Sequence, residues 1–233
     1  MLPHEALVEA YALEDRTTPR IRMNFVSSID GAATVAGRSA DLGGETDRAV
    51  MQVLRAMCDV ILVGAGTVRA EGYGGTRVEG EDAAWRRAAG LTGQPRLAVV
   101  SRALDLDAAH PFFTEAVVRP LVVTCATAPA DRRAALGAVA DVLVCGEASV
   151  DLAAARERLE GLGMPQILCE GGPHLFGALH AADLVDELCL TLSPRLAGGE
   201  AGRILRGGAE RVTDMGLAGL LREGDWLFLR YAR

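Results

Sequence analysis

The chain has 233 residues, of which 50% are hydrophobic and 24% charged, so it can form one substantial core or at most two small domains. A formal charge of −7 without any long basic cluster gives no reason to expect a nucleic-acid partner. No apolar run approaches the roughly 20 residues of a membrane helix, and the acidic N-terminal segment lacks the pattern of a signal peptide, which predicts a cytoplasmic protein without a membrane partner.

The cysteines and histidines argue against a metal site or a disulfide framework. The cysteines form no CxxC pair, their number is odd, and most lie in apolar runs, which predicts buried and reduced thiols. The four histidines are scattered, so no cluster of His, Cys and acids has the spacing of metal ligands. The five cysteines are Cys58, Cys125, Cys145, Cys169 and Cys189.

The chain begins with a polar segment, residues 1–19, which we interpret as an arm that packs on the surface. Residues 20–29 form the first convincing strand, and residues 32–44 are rich in glycine without an apolar period, as in a long loop. Thr46 is expected to cap a helix over residues 46–57, because apolar residues recur there at helical spacing.

The elements that follow alternate between strands and helices. The continuous apolar run at 59–64 is typical of a strand covered on both faces, and the charged residues 76–94 are interpreted as an exposed excursion. Pro129 near a first turn indicates a helix over residues 129–136, and Asp151 as a cap indicates a helix over residues 151–162. The remaining predictions are strands at 96–100, 121–125, 139–145, 166–169, 184–192 and 226–233, weaker strand signals within 211–221, and a helix after residue 172.

This alternation predicts a largely parallel sheet with helices on both faces. The last third of the chain has strand after strand with little helix between them, which predicts antiparallel strands at the C-terminal edge. The predicted fold class is therefore three-layer α/β/α with a mostly parallel mixed sheet. No linker rich in proline, serine or charge marks a boundary, so residues 20–233 are predicted to form a single domain after the arm.

Small and polar residues follow five of the predicted strands, and the carboxyl ends of strands are where open α/β sheets bind ligands. Taken singly, each residue has an ordinary explanation: Asp30 fits a turn, Thr67 fits a helix cap, and Arg102 fits a solvated charge. Together they favour a long polar crevice for an extended, phosphate-bearing ligand such as a dinucleotide. These residues are Ser27, Ser28, Asp30, Gly31, Gly64, Gly66, Thr67, Ser101, Arg102, Gly146, Glu170, Gly171 and Gly172.

The stretch from Gln166 to Ala178 carries the clearest ligand signal. A short apolar strand is followed there by Glu170, two glycines, a proline and an apolar helical pattern. Glycines let the backbone come close to a ligand, and the free N–H groups at a helix start favour an anion such as a phosphate. A turn that uses the glycines for geometry alone remains open. The standard GxGxxG fingerprint is absent, which disfavours an ordinary Rossmann domain.

Three segments carry a family pattern: MNFVSSIDGAATVAGRS, LRAMCDVILVGAGTVRAE and CEGGPHLFGALHAADLVDELCLTLSPRLAGG. Together they resemble the riboflavin-pathway pyrimidine reductases, the reductase half of bifunctional deaminase–reductases, which share the dihydrofolate-reductase-like fold. The resemblance extends over residues 20–233. The H-x-E and P-C-x-x-C signature of the zinc deaminases is missing, which implies a stand-alone reductase. The resemblance also implies a homodimer, with the apolar stretches 184–192 and 226–231 as the interface.

The resemblance implies NADPH as the cofactor. The paired glycines and the helix start after them would hold its pyrophosphate, and the serine and arginine after strand 96–100 would meet its ribose 2′-phosphate, which a guanidinium fork suits. His174 would touch a phosphate or face the solvent. The implied cofactor residues are Thr67, Glu71, Ser101, Arg102, Gly171, Gly172, Pro173, His174, Leu175 and Phe176.

Matching to the family also implies Ser39, Arg55 and Glu170 as substrate-binding residues, and Asp30 and Glu170 as catalytic residues. The implied reaction is hydride transfer to C1′ of 5-amino-6-(5-phosphoribosylamino)uracil, which gives the ribitylamino product. Asp30 would orient the substrate or relay a proton, and Glu170 would bond the polar groups of the substrate. Arg55 would neutralise the substrate phosphate, and an exposed helix charge is the alternative for it.

One segment departs from the family pattern. Where the family has T-V-x-x-D-D-P-x-L, residues 67–75 of this chain read TVRAEGYGG. Glu71 keeps an acid, but the Asp-Pro pair is missing and the loop is rich in glycine. Two alternatives therefore stay open: a dihydrofolate-type or other pteridine or pyrimidine reductase, and a non-catalytic nucleotide-binding protein of the same fold.

Overall fold

One β-sheet organises residues 2–233, which are the part of the chain that the computed structural model describes. Met1, the first residue of the predicted arm, lies outside the described residues. The strands are β1 Arg20–Ser28, β2 Val60–Gly64, β3 Arg96–Val100, β4 Leu121–Thr124, β5 Asp141–Val144, β6 Gln166–Cys169, β7 Glu187–Ser193, β8 Gly216–Glu223 and β9 Trp226–Ala232.

The strand order confirms the predicted fold class. Across residues 2–233 the sheet runs β5-β4-β3-β2-β6-β1-β7-β9-β8. Strands β1 to β7 pair in parallel, whereas β9 and β8 form an antiparallel hairpin at the C-terminal edge. The carboxyl ends of the inner strands β1, β2, β3 and β6 therefore lie along one edge of the sheet, as the crevice prediction requires.

Helices cover both faces of this sheet because successive residues of a strand point to opposite sides. On β2, Ile61 and Val63 belong to one hydrophobic core and Val60 and Leu62 to a second. Residues of α1, α2, α3, α5 and α6 join the first core, and residues of α7 and α8 join the second; the helices are α1 His4–Tyr11, α2 Glu45–Met57, α3 Ala65–Ala70, α4 Gly80–Ala88, α5 Pro111–Thr114, α6 Ala130–Val139, α7 Leu152–Gly161 and α8 Pro173–Ala181.

Of the two predicted helix caps, one is confirmed and one is wrong. Asp151 caps α7, because its carboxylate accepts a hydrogen bond from the Ala154 N–H at 3.0 Å. Helix α2 begins one residue before Thr46, with Gly44 at the capping position. The Thr46 hydroxyl donates instead to Glu223 on β8. It ties the helix start to the edge hairpin.

The interpretation of residues 76–94 as an exposed excursion is wrong in its middle part. This segment contains α4, and Arg86 on that helix is fully buried. Arg86 donates to the Ala56 carbonyl at 2.8 Å and to the Cys58 carbonyl, both at the end of α2, and to the Thr92 carbonyl at 2.6 Å. The last carbonyls of a helix have no partner within the helix, so this arginine satisfies groups that would otherwise be buried without a donor.

The predicted arm contains a helix that contributes to the core. Leu7 and Tyr11 of α1 are buried in the same cluster as the apolar face of α2. Arg22 and Arg230 also hold the end of α1, since they donate to the Tyr11 and Ala10 carbonyls at 3.0 Å each while sharing the buried Glu187 carboxylate. The boundary between arm and domain at residue 19 stays a prediction.

The predicted state of the cysteines is confirmed, since all five are free and buried. Burial raises the pKa of Cys58 and of Cys169 to about 12 each, so both stay as thiols at neutral pH. Among residues 2–233 no helix is long and apolar enough to cross a membrane. In the same range no group of His, Cys, Asp and Glu side chains is arranged to hold a metal ion.

Candidate active site

Two cavities open at the carboxyl edge of the sheet. The first cavity, of about 430 Å³, lies beyond the ends of β2 and β3, beside the first turns of α3 and α8. The second cavity, of about 360 Å³, lies beyond the ends of β1 and β6, beside α2 and the loop that follows α3. Both occupy the edge where open α/β sheets bind ligands.

The first cavity carries a net positive charge. Arg69 and Arg102 line it with a single carboxylate, that of Asp105, which lies 4.0 Å from Arg69 and 3.8 Å from Arg132. In the described part of the chain, Arg102 is exposed and forms neither an ion pair nor a hydrogen bond. The buried Ser101 hydroxyl accepts from the Leu104 N–H at 3.0 Å, which leaves its own proton to donate. The predicted pair Ser101 and Arg102 thus lies together at the wall of this cavity.

The turn between β6 and α8 lies where the two cavities meet. Gly172 and Pro173 line the second cavity, whereas His174 and Leu175 line the first. Proline at the helix start has no N–H, so the first free backbone donors of α8 are those of His174 and Leu175. A ligand that spans both cavities would pass over this helix start, which supports the predicted anion site.

Close backbone packing explains both glycines of this turn. Gly171 has φ of +89°, and a Cβ there would stand 2.8 Å from the ring of Phe25. A Cβ on Gly172 would stand 2.7 Å from the Thr67 hydroxyl oxygen. The Gly171 carbonyl accepts from the Gly64 N–H at 2.7 Å, which joins the turns after β6 and β2. The peptide bond between the two glycines is cis.

A buried group of three side chains lines the second cavity. Arg55 donates from Nε and Nη2 to the two oxygens of Glu170 at 2.6 and 2.7 Å, a bidentate pair. The Tyr73 hydroxyl donates to Glu170 Oε2 at 2.5 Å. Burial lowers the pKa of Arg55, but the Glu170 carboxylate outweighs it and the net shift is upward. Burial also raises the pKa of Tyr73 well above its ordinary value, so the phenol keeps its proton.

A second contact joins the two loops that border this cavity. The Ser39 N–H and hydroxyl both donate to Glu71 Oε1 at 3.2 Å. Ser39, expected at the substrate, lies at the second cavity together with Glu71, which was expected at the cofactor. Helix α3 ends at Ala70, so the chain turns at Glu71 and carries its side chain to the second cavity instead of the first.

Two other predicted residues lie apart from both cavities. The Asp30 carboxylate accepts from the Ser28 hydroxyl at 2.5 Å and from the Ala197 and Gly198 N–H groups at 3.1 and 2.7 Å. These bonds, the Ser28 bond first, lower the pKa of Asp30 to about 2. Phe176 is buried against Phe25, with ring centroids 5.1 Å apart, and lines neither cavity. The catalytic and cofactor roles of these two residues stay predictions without support from their positions.

The second cavity also contains residues that the sequence patterns did not identify: Asp47, Arg48, Met51 and Tyr73. Asp47 and Met51 precede Arg55 by eight and four residues on α2, so the three share one helix face. Arg55 was assigned from the family resemblance, and the helical period of α2 was used only for its apolar stripe, so its polar face was not considered. Tyr73 lies in a glycine-rich loop without periodicity, and no sequence pattern indicated its contact with Glu170.

The fold is that of an open α/β protein with two cavities at the carboxyl edge of its sheet, where such sheets bind ligands. The family model described as the RibD C-terminal domain matches residues 19–225. The chain therefore belongs to the RibD C-terminal domain family.

Two relatives agree with this assignment, and both are named as reductases. The chain is 31% identical, over 84% of its length and 87% of the relative, to the 2,5-diamino-6-ribosylamino-4(3H)-pyrimidinone 5′-phosphate reductase of Methanothermobacter thermautotrophicus. It is 33% identical, over 78% of its length and 83% of the relative, to the reductase of the same name from Archaeoglobus fulgidus.

Solved structures show the same fold. A pyrimidine reductase-like protein from Corynebacterium diphtheriae superposes with a TM-score of 0.86 at 27% identity, covering 97% of each chain. RibD of Acinetobacter baumannii gives a TM-score of 0.74 at 19% identity, covering 93% of this chain and 58% of that one. These matches confirm the predicted family and the predicted dihydrofolate-reductase-like fold.

Proposed function

We propose that the protein is an NADPH-dependent reductase of riboflavin biosynthesis that converts a ribosylamino-pyrimidine 5′-phosphate into the ribitylamino compound. The observation that carries this proposal is the meeting of a cationic cavity and a carboxylate-lined cavity at the start of α8. A cofactor in the first and a substrate in the second would have their reactive ends close together at that point. The names of the two relatives above 30% identity support the choice of reaction.

The residues around the first cavity fit NADPH. Nothing lies within 4 Å of a Cβ built on Gly66, so this wall is open to a ligand. The N–H groups of His174 and Leu175 offer donors to a pyrophosphate, and Ser101 with the unpaired Arg102 offers a hydroxyl and a guanidinium to a ribose 2′-phosphate. Bound there, the reduced nicotinamide supplies the hydride.

In the second cavity Glu170 is proposed to bond the polar groups of the substrate. Arg55 and Tyr73 hold its carboxylate in one orientation, and a fixed acceptor positions a ligand donor without further ordering of the side chain. The Ser39 hydroxyl and Glu71 join the loops on the opposite border. These loops would close the substrate from water along one side.

The substrate phosphate needs a cation that is not already neutralised. Arg55 was expected in this role, but its Nε and Nη2 are bonded to Glu170. Arg48 lines the same cavity, is exposed, and has no ion pair with any residue between 2 and 233. We therefore assign the phosphate to Arg48 in this proposal, with Arg55 acting through Glu170.

The names of the relatives also bear on the substrate. They are named for a compound with an amino group at C2 of the ring, where 5-amino-6-(5-phosphoribosylamino)uracil has an oxygen. We propose the 2,5-diamino compound as the substrate and the uracil as the second candidate. Dihydropterins share the 2-amino-4-oxo ring pattern. Reduction of a dihydropterin by NADPH is therefore the competing function.

The test is NADPH consumption, followed by absorbance, with each of these compounds in turn. The proposal expects consumption with the 2,5-diamino ribosylamino phosphate and formation of the ribitylamino product. Turnover of a dihydropterin with none on either ribosylamino phosphate would establish the competing reductase instead. NADPH binding without consumption on any of them would leave a non-catalytic nucleotide-binding protein.

A further inference from the structure

Three carboxylates line the second cavity, those of Asp47, Glu71 and Glu170, and of these Glu170 forms an ion pair with an arginine. Both oxygens of Glu170 and one oxygen of Glu71 already accept hydrogen bonds from neighbouring side chains. Among the residues that the structure describes, no arginine forms an ion pair with Asp47. The Asp47 carboxylate accepts a hydrogen bond from the Thr191 hydroxyl but, within residues 2–233, has no arginine partner in an ion pair, so it keeps acceptor capacity for a ligand in this cavity.

The surroundings of Asp47 make an unliganded carboxylate unfavourable. The side chain is partly buried, and burial raises its pKa against the smaller opposing effects of the Thr191 hydroxyl and Arg48. Desolvation of a carboxylate is offset when donors are aimed at its oxygens. The Thr191 hydroxyl supplies one such donor, and a ligand that brings its own N–H groups would supply further ones.

The position of the carboxylate is fixed by its helix and by a glycine. Asp47 lies one and two turns before Met51 and Arg55 on the α2 face that borders the cavity. A Cβ built on Gly43 would stand 2.6 Å from Asp47 Oδ2, so the carboxylate lies directly against the backbone there. A side chain at residue 43 would displace it.

We infer that Asp47 is the residue that recognises the 2-amino-4-pyrimidinone edge of the substrate, by accepting hydrogen bonds from N3–H and from the 2-amino group. The inference deepens the proposed function and rests on it for the identity of the ligand. Two adjacent donors on a planar ring match the two oxygens of a carboxylate, as a guanidinium does.

This pairing selects between the two candidate pyrimidines. The uracil presents N3–H beside a C2 carbonyl, and that carbonyl would place a second acceptor against the Asp47 carboxylate. A site built for a donor pair rejects a ligand that offers an acceptor instead, because a buried polar group is left unpaired. Asp47 therefore favours the 2-amino compound, which has not lost its amino group by deamination.

A purely structural role for Asp47 makes a different prediction. An acid in the first turn of a helix interacts favourably with the helix dipole, and Glu45 shares that position on α2. Glu45 is exposed and lies outside the second cavity. The substitution Glu45→Gln is therefore the matched control: it removes a charge from the same turn without touching the ligand.

The experiment measures equilibrium binding of both ribosylamino-pyrimidine phosphates by calorimetry without NADPH, so that no reduction occurs. Wild type and Glu45→Gln are expected to bind the 2-amino compound about 10- to 100-fold more tightly than the uracil. Asp47→Asn exchanges one acceptor for a donor and so matches N3–H and the C2 carbonyl. It is expected to bind the uracil more tightly than the 2-amino compound.

Gly43→Ala, which displaces the carboxylate without removing it, is expected to weaken binding of the 2-amino compound more than that of the uracil. Four results would overturn the inference. Two concern wild type: equal binding of both compounds, or binding of neither of them. The other two are an Asp47→Asn variant that keeps the wild-type preference and a Gly43→Ala variant that weakens binding of both compounds equally. Thermal melting of each variant separates a folding defect from a binding effect. Preference in binding without NADPH consumption would contradict the proposed function alone and leave the role of Asp47 standing.

Discussion

At the scale of the residue, the site depends on the pairing of Arg55 with Glu170. Both side chains are almost fully buried, at 11% and 6% exposed. Removal of one partner leaves the other as an uncompensated buried charge, which costs far more than the loss of an exposed pair. The pair therefore contributes to the stability of the domain as well as to the shape of the second cavity.

Glu170→Gln is expected to lower the free energy of unfolding by about 3 kcal/mol, because the Arg55 guanidinium loses its counter-charge. Urea denaturation measures it. The double variant Arg55→Met with Glu170→Gln serves as the control. Its loss of unfolding free energy should be smaller than the sum of the losses in the two single variants. A loss below about 1 kcal/mol for Glu170→Gln would mean that the pair behaves as a solvent-screened surface pair.

Asp30 offers a test between a catalytic and a structural carboxylate. Its pKa of about 2 lies below the unfolded value, so its contribution to stability is present above the unfolded pKa and is lost as the pH falls through about 2. We expect Asp30→Asn to melt at a lower temperature than wild type at pH 7, with a smaller difference near pH 3.

The same variant should change kcat/KM for the substrate little, because Asp30 lies outside both cavities. A fall in kcat at an unchanged melting temperature would instead support the catalytic role that the family resemblance implied. Melting curves at both pH values, beside the steady-state assay, decide between the two.

Sequence patterns predicted part of the site and missed part of it for identifiable reasons. Residues that directly follow strands, such as Arg102, Gly172 and Glu170, were found because strand ends share one edge of the sheet. Asp47 was missed because a polar residue in the first turn of a helix is usually a cap or a solvated charge. The role of Tyr73 depends on a contact 97 residues away along the chain, which no local pattern contains.

At the scale of the element, a buried arginine anchors α4 to the end of α2, while Asp82 contacts His4 and Trp85 packs on the first core. The charged residues of this segment are typical of an exposed loop, and no pattern in it indicated that Arg86 would be buried. The buried guanidinium satisfies the last carbonyls of α2. The strands, in contrast, were predictable because each is an apolar run bounded by turn residues.

Arg86→Ala is expected to lower the free energy of unfolding by about 3 kcal/mol, since it leaves the Ala56 and Cys58 carbonyls buried without donors and opens a cavity. Arg87 is the matched control because it is adjacent on α4 and exposed. Arg87→Ala should change stability by no more than about 0.5 kcal/mol. Similar losses for both variants in urea denaturation would show that α4 is not anchored by Arg86.

At the scale of the whole molecule, the predicted homodimer is proposed to form through the edge hairpin. The expected interface included residues 184–192, but β7 lies inside the sheet between β1 and β9. The edge strand β8 instead exposes Leu217 and Leu220, at 55% and 53%. Exposed apolar side chains on an edge strand are typical of a surface that pairs with another chain.

Light scattering at micromolar concentration is expected to give the mass of a dimer. The double substitution of Leu217 and Leu220 by Glu should give a monomer, because it places two charges in the proposed interface. Leu162→Glu is the control, since Leu162 is similarly exposed, at 52%, at the end of α7. A monomeric wild type would contradict the proposal, as would a dimer that survives the double substitution.

The central claim is that the cleft binds NADPH against a ribosylamino-pyrimidine phosphate and reduces it. The most direct measurement is kcat/KM with NADPH and with NADH, on the 2,5-diamino substrate, for wild type and Arg102→Ala. We predict that wild type prefers NADPH by about 10-fold or more and that Arg102→Ala loses this preference while its rate with NADH is unchanged. Absence of NADPH consumption by wild type, or a preference for NADPH that survives Arg102→Ala, would contradict the account.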